Sequence, residues 1–198
     1  MATKQPSLRE RNKQLTRDAI LRAALLLVER DGVSRTSMAE VAEIAGVSDT
    51  TVFNYFKTKD DLVDALVEEM TGPRSFPAIL ERRPASESPF RALRNAMKTE
   101  PLPPQDDLAS RREQLGSARA DKLLWGAYLR NNHVFANQLA EAFQRRAPEW
   151  SRMTATAAAH ACIGALEGLF ETLDSEATVQ DWAAAIDDVL ARLERAWR

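Results

Sequence analysis

One cysteine, Cys162, stands among the 198 residues. That excludes an intramolecular disulfide framework and a cysteine-rich zinc module, and it fits a reducing cytosol. There are two histidines, His133 and His160, and no Gly-rich phosphate loop. No Ser, His and acid arrangement with a recognisable nucleophile elbow is present. His160 and Cys162, two apart on a helix, point away from each other and cannot share a metal without a third element. Seven glycines and nine prolines are too few for a collagenous or low-complexity chain. No stretch approaches the roughly 18 consecutive apolar residues of a membrane span, and Met1 to Arg11 holds no apolar core for a signal peptide. The expectation is a soluble cytoplasmic protein with no catalytic centre, cofactor or metal.

A large charge of one sign is missing too: the net charge is −2, from 27 basic and 29 acidic side chains. Attraction to nucleic acid must therefore be local. The first 30 residues hold seven basic side chains, Lys4, Arg9, Arg11, Lys13, Arg17, Arg22 and Arg30, against three acidic ones. Alternating β-branched runs are absent, while Ala, Leu, Glu and Arg dominate, so the chain reads as all-α, with about nine helices.

Residues 1–13 read as a flexible basic arm. A first helix fits Leu15 to Arg30, ended by Gly32. A second fits Met38 to Ala45, with Ser37 and Glu40 as a capping box and Gly46 as its stop. A third starts at Ser48 as N-cap and runs to about Phe56, with Val52 and Phe56 inward. Thr58 and Asp61 then cap a fourth that carries Leu62, Ala65, Leu66 and Met70. Prolines interrupt residues 71–104, which read as a domain joint with a short helix near Phe90 to Lys98. A short helix near Asp106 to Leu115 and three longer ones at about 119–147, 149–173 and 178–197 complete the chain, with Pro148 opening the second of these.

The tight Ala-Gly-Val-Ser turn between the second and third helices has the form of a helix-turn-helix at about 37–56. With Val52 and Phe56 inward, the third helix presents Asp49, Thr50, Thr51, Phe53 and Asn54 outward. A small, polar and aromatic face of this kind suits a major groove about 12 Å wide. Lys57 and Lys59 follow it, and Arg35, Thr36 and Ser37 open the second helix, where free N–H groups favour phosphate. The same caps would equally serve a plain helical bundle.

Gly32 to Leu62, GVSRTSMAEVAEIAGVSDTTVFNYFKTKDDL, resembles the DNA-binding domain of the TetR (tetracycline repressor) family of bacterial regulators. The matching positions are Gly32, Thr36–Ser37, Val41–Ala42, Ala45 to Ser48, Phe53-Asn54-Tyr55-Phe56 and Thr58 to Leu62. Likeness covers about residues 14–74, so the resemblance implies a DNA-binding domain there and a helical effector-binding and dimerisation domain at 75–198. It implies that Thr36, Ser37, Tyr55 and Lys59 clamp the backbone, while Thr50, Thr51, Phe53 and Asn54 face bases. Arg35, Ser48 and Lys57 complete the candidate DNA-binding set. Two residues depart from the pattern. Phe53 stands where the family most often has Tyr, losing a phenol-to-phosphate hydrogen bond, and Asp49 places a carboxylate near phosphate.

The C-terminal part is read from its residues. Thr154, Ala158, Ala161, Ala165, Gly168 and Thr172 make a seam of small side chains, and Trp182, Ile186, Val189, Leu193 and Trp197 a bulky one. Both seams can be spent inside one subunit. The resemblance, to a family of homodimers through the last two long helices, implies instead that Ala158, Ala161, Ala165, Gly168, Trp182, Ile186, Val189 and Leu193 form a dimer interface. Asn131 interrupts an apolar stripe between Tyr128 and Phe135. A bound, largely apolar effector beside Trp125, Tyr128, Asn131 and Phe135 is one partner for it; a kink or an ordinary side-chain hydrogen bond is another.

The function expected is a sequence-specific repressor, bound to a palindromic DNA operator as a homodimer and released by a small molecule, away from membranes. A small helical enzyme or carrier, or an architectural DNA binder without sequence preference, is the alternative.

Overall fold

The computed structural model describes the backbone of residues 7–71, 76–99, 105–174 and 176–197, with the side chains of 76, 105–109, 111 and 112 left aside. Within these residues the fold is all-α, in ten helices: α1 Leu8–Asp31, α2 Met38–Ala45, α3 Asp49–Tyr55, α4 Lys59–Thr71, α5 Phe76–Glu81, α6 Pro89–Thr99, α7 Gln105–Ala120, α8 Lys122–Arg146, α9 Arg152–Thr172 and α10 Val179–Ala196. They divide into two compact units. One holds residues up to Met70 together with Ser117–Tyr128, and the other holds Thr71–Gly116 together with Leu129 onward. The chain thus returns to its N-terminal unit at 117–128, inside the span that the sequence reading gives wholly to the C-terminal domain.

In the first unit, α1 packs on α2 and α2 on α3. Ile20, Leu21, Ala24, Leu27, Val33, Val41, Val52, Phe56, Leu62, Leu66 and Val67 are all but removed from solvent. Each such aliphatic or aromatic side chain contributes about 1.5–3 kcal/mol by leaving water. Helix α1 begins two turns earlier than the sequence suggests. The Ser7 hydroxyl accepts from the Glu10 amide and the Glu10 carboxylate accepts from the Ser7 amide, so a capping box makes helix of what reads as arm. Lys4 lies outside the described residues. Gly32 (φ 81°) and Gly46 (φ 68°) end α1 and α2 in backbone conformations that cost a side chain dearly.

In the second unit, Leu80, Phe90, Leu93, Leu139, Phe143, Ala155, Ala158, Ala159, Cys162, Ile186 and Leu190 form the core. Phe90 stands 5.6 Å from Phe143, 6.1 Å from Trp150 and 5.7 Å from Trp197 in tilted pairs. Helix α5 falls inside the stretch that reads as an interrupted joint, because Pro77 occupies its first turn, where no intrahelical N–H is needed. Residues 72–75 and 100–104 of that joint lie outside the described residues. Pro148 does not open α9: the chain turns through it, and Ser151 caps the helix by accepting from the Thr154 amide.

Two residues expected at a two-copy seam are spent internally. Ala158 and Ile186 sit at 0% and 4% exposure in the subunit's own core, so neither offers surface to a second copy. Trp182, Val189 and Leu193 pack partly against the same core. Ala161, Ala165 and Gly168 stay half-exposed.

Helix α10 is held to α6 by charge as well as by packing. The Arg94 guanidinium donates to both Asp187 oxygens (2.9 and 3.0 Å) and to Glu194 (3.3 Å), and Ser88 donates to Glu194 (2.8 Å). Lys98 stands 2.9 Å from Asp187. Arg94, helped by Lys98 and opposed by burial, holds the Asp187 carboxyl at about 2, below its ordinary 3.8. A lowered carboxyl pKa stabilises the fold above the unfolded value, and that contribution disappears as pH falls toward the folded one. Acid titration of the wild type should therefore lose about 1–2 kcal/mol of stability between pH 4 and pH 2 from this group. Asp187→Asn should flatten that part of a chemical-denaturation profile, and an unchanged profile would remove the pair from the acid response.

Candidate nucleic-acid interface

The helix-turn-helix is assembled from short elements, each capped by its own sequence. Ser37 accepts from the Glu40 amide (3.2 Å) while Glu40 accepts from the Ser37 amide and hydroxyl (3.0 and 2.6 Å), which keeps the Glu40 carboxyl below its usual range. At the left-handed Gly46 the chain leaves α2, and the Ser48 hydroxyl caps α3 by accepting from the Thr51 amide at 3.2 Å. Thr58 and Asp61 exchange the same pair of bonds at the start of α4.

Helix α3 buries Val52 completely, and Phe56 just past its end is 4% exposed. The opposite face then points to water by geometry: Thr50, Phe53 and Asn54, at i, i+3 and i+4, are all exposed, with Phe53 at 45%. Thr51 is half-buried and shares a hydrogen bond with Ser48 (2.9 Å), so it shapes the helix start more than it offers a hydroxyl outward. Lys57 is exposed. Lys59 is half-exposed and donates to the Ser34 carbonyl at 3.3 Å.

Two residues expected to clamp the backbone, Thr36 and Tyr55, are otherwise engaged, as is Arg35 of the wider DNA-binding set. Thr36 is 6% exposed and donates to the Gly32 carbonyl (3.0 Å), so its hydroxyl closes the α1–α2 turn and is not offered to a phosphate. Arg35 reaches back to the Asp31 carbonyl (2.7 Å) from an exposed position. Tyr55 is half-buried and donates to the Lys13 carbonyl at 3.1 Å.

That last bond shows what the sequence reading missed: the first turns of α1 are tied to the end of α3. Arg17 reinforces the tie, its guanidinium lying 5.7 Å over the Phe56 ring. The exposed cations Arg9, Arg11 and Lys13 thus belong to a fixed helix and not to a loose arm. Asp121 was missed as well. It accepts from the amides of Leu123, Leu124 and Val33, and although burial works against its charge these bonds and nearby Lys59 hold its carboxyl below the ordinary value. An Asp ahead of a helical run is a readable N-cap; its partner 88 residues away is not.

The residues proposed for an effector divide between the two units. In the first, Trp125 stacks on Tyr128 (4.8 Å, 14°) and Arg119 lies 5.0 Å over the same indole, so the ring is already occupied by protein groups. In the second, Phe135 is 7% exposed and the Asn131 Oδ1 is buried with no hydrogen-bond partner among the described residues, while the adjacent Asn132 donates to Glu167. Among the described residues no group of three or more His, Cys, Asp or Glu could hold a metal ion, and no helix is long and apolar enough to cross a membrane.

Comparison with known proteins places this arrangement. The family model of bacterial regulatory proteins of the TetR family matches residues 20–66. The transcriptional regulator TcmR of Streptomyces glaucescens is 36% identical over 93 residues, 47% of this chain and 40% of that protein. LuxR of Vibrio harveyi is 45% identical over 51 residues, and that match spans 25% of its length. The chain therefore spans well under half the length of these curated relatives. A helix-turn-helix regulator of Saccharopolyspora erythraea is 30% identical over 207 residues, covering 92% of this chain and 84% of that one. Among solved structures, NalD of Pseudomonas aeruginosa, a secondary repressor of a multidrug efflux pump, shares the fold with a TM-score of 0.59 at 23% identity, over 92% and 96% of the two chains. Agreement along nearly the whole length with one relative, and over the helix-turn-helix with the family model, makes this chain a member of the TetR family of DNA-binding transcription regulators, which are not enzymes.

Proposed function

We propose that the protein is a sequence-specific repressor that binds a palindromic operator as a homodimer in the cytoplasm and is released by a small-molecule effector. The observation that carries the reading is the outward face of α3. Thr50, Phe53 and Asn54 stand exposed on a helix whose other face is fully buried, and no packing role accounts for that exposed aromatic. In the major groove Asn54 offers both a donor and an acceptor to an adenine edge, and Phe53 an apolar surface to a thymine methyl. Lys57 and the cations of α1 supply phosphate attraction that reads no sequence.

Repression in place of activation is the family habit, and NalD, itself a repressor, agrees with it. Two copies would meet through the half-exposed small residues Ala161, Ala165 and Gly168 of α9. At Gly168 a side chain would meet nothing of the subunit itself within 4 Å, as befits a surface kept low for a second helix. For the effector, the partnerless oxygen of Asn131 supports a ligand with a hydrogen-bond donor on a largely apolar body.

Gel-shift titration against DNA upstream of the protein's own coding region is the direct test, with saturable sequence-specific binding expected and equal affinity for random duplex as the contrary result. Asn54→Ala and Thr50→Ala should each relax base preference at discrete operator positions by roughly 1–3 kcal/mol. Lys57→Ala should instead weaken all sequences alike and lower the salt slope by about one unit for each phosphate it no longer neutralises. Site selection returning the wild-type motif from the first two variants would misplace the reading face.

Ala165→Arg puts a charge into the proposed seam, and sedimentation should find this variant monomeric at concentrations where the wild type is dimeric; a persistent dimer would relocate the interface. Asn131→Leu fills the polar position with an apolar side chain of similar size. It should keep operator affinity while losing release by the inducing compound, and a wild-type response would place the effector elsewhere.

A further inference from the structure

Asp121 stands between α7 and α8, and its two carboxylate oxygens have different partners. Oδ1 accepts from the Leu123 and Leu124 amides at 2.9 and 3.2 Å, an ordinary N-cap for α8. Oδ2 accepts from the Val33 amide at 2.7 Å, in the turn that joins α1 to α2. Val33 is 1% exposed, so without this oxygen its N–H would be buried unmet. The turn is shaped for the approach: Gly32 has a φ of 81°, and a Cβ there would stand 3.1 Å from Oδ2. Lys59 donates to Ser34 of the same turn, so one short segment joins the starts of α2, α4 and α8. Helix α8 begins in the first unit, through Tyr128, and continues in the second from Leu129.

We propose that Asp121 is a positioning residue for operator binding, its carboxylate clasping the α1–α2 turn to the first turn of α8 and so fixing the helix-turn-helix on that helix. The proposal rests on the reading of the protein as a dimeric operator binder. Two recognition helices must enter major grooves about 34–36 Å apart, so each needs a fixed orientation on the part of the chain that carries it. A cap needs only Oδ1; Oδ2 ties that cap to a turn 88 residues away in sequence.

Substitution separates the two roles. Asn caps helices as well as Asp does, so Asp121→Asn keeps an oxygen on Leu123 and Leu124 but turns an amide donor toward the Val33 N–H. Asp121→Ser also caps, and is too short to reach Val33 as well. The full chain is titrated with the operator selected by the wild type and with duplexes carrying one or two extra base pairs between half-sites. Each added pair turns a half-site by about 34–36° and moves it about 3.4 Å.

Wild-type affinity should fall about tenfold or more at the first insertion, because a fixed pair of recognition helices cannot follow it. Both variants should lose less than about threefold at that step while selecting the same half-site, and their unfolding midpoints should fall alike, by no more than the loss of one buried hydrogen bond explains. Amide hydrogen exchange on the free protein should show Val33 opening at least about tenfold faster in both variants, with Leu123 and Leu124 still protected. Retention of the steep spacing dependence, or an unchanged Val33 exchange rate, would overturn the clasp. A wild type that prefers no duplex over random DNA would overturn the regulator reading instead, and the positioning role with it, while Val33 exchange still reports whether the bond itself exists.

Discussion

A seven-residue helix cannot hold itself together in water, since nucleation consumes nearly all that so few hydrogen bonds return. The outward face of α3 therefore exists only because Val52 and Phe56 are buried behind it and Ser48 satisfies its first turn. The outward placement of Thr50, Phe53 and Asn54 hangs on that small buried area. Gly46 sets the angle at which α3 leaves α2, Arg17 covers the Phe56 ring, and the Tyr55 hydroxyl fastens the far end to Lys13. The helix is held by its neighbours and not by its own length, which leaves its outward side chains without a packing role.

The second unit solves a different problem. Glu194 is 6% exposed on the inner side of α10, a costly place for a carboxylate. Arg94, Arg91 and Ser88 all reach it from α6 and its start. The cluster adds directional charge pairing to the apolar packing of α6 and α10, whose buried residues include Phe90, Leu93, Ile186 and Leu190. Truncating Arg94 alone would leave Glu194 short of its main counter-charge, a more damaging change than replacing the whole group by apolar side chains.

Capping and periodicity made the helix-turn-helix legible almost residue by residue. Ser37 with Glu40, Gly46, Ser48, and Thr58 with Asp61 are local signals, and local signals survive without knowledge of the fold. What escaped the sequence was long-range. Nothing near Tyr55 announces that the Lys13 carbonyl will take its hydroxyl, and nothing near Asp121 announces Val33. At the two seams, periodicity puts Ala158 and Ala165, seven residues apart, on one stripe, but it does not say that the first is fully buried while the second stays half-exposed. In α1 the error was one of emphasis, because basic residues suggested an arm while Ser7 and Glu10 already spelled a helix start.

Cys162 lies at 0% exposure in the core between α9 and its neighbours, and burial pushes its thiol up to about 12. At neutral pH almost none of it is thiolate, the form that attacks electrophiles, and no reagent reaches it without opening the core. An oxidant or thiol-modifying compound consequently has no handle on the folded protein through its native sulfur. A cysteine introduced at an exposed position would be the one reactive thiol, so a spin label or fluorophore can be placed on the recognition helix without first removing the native residue.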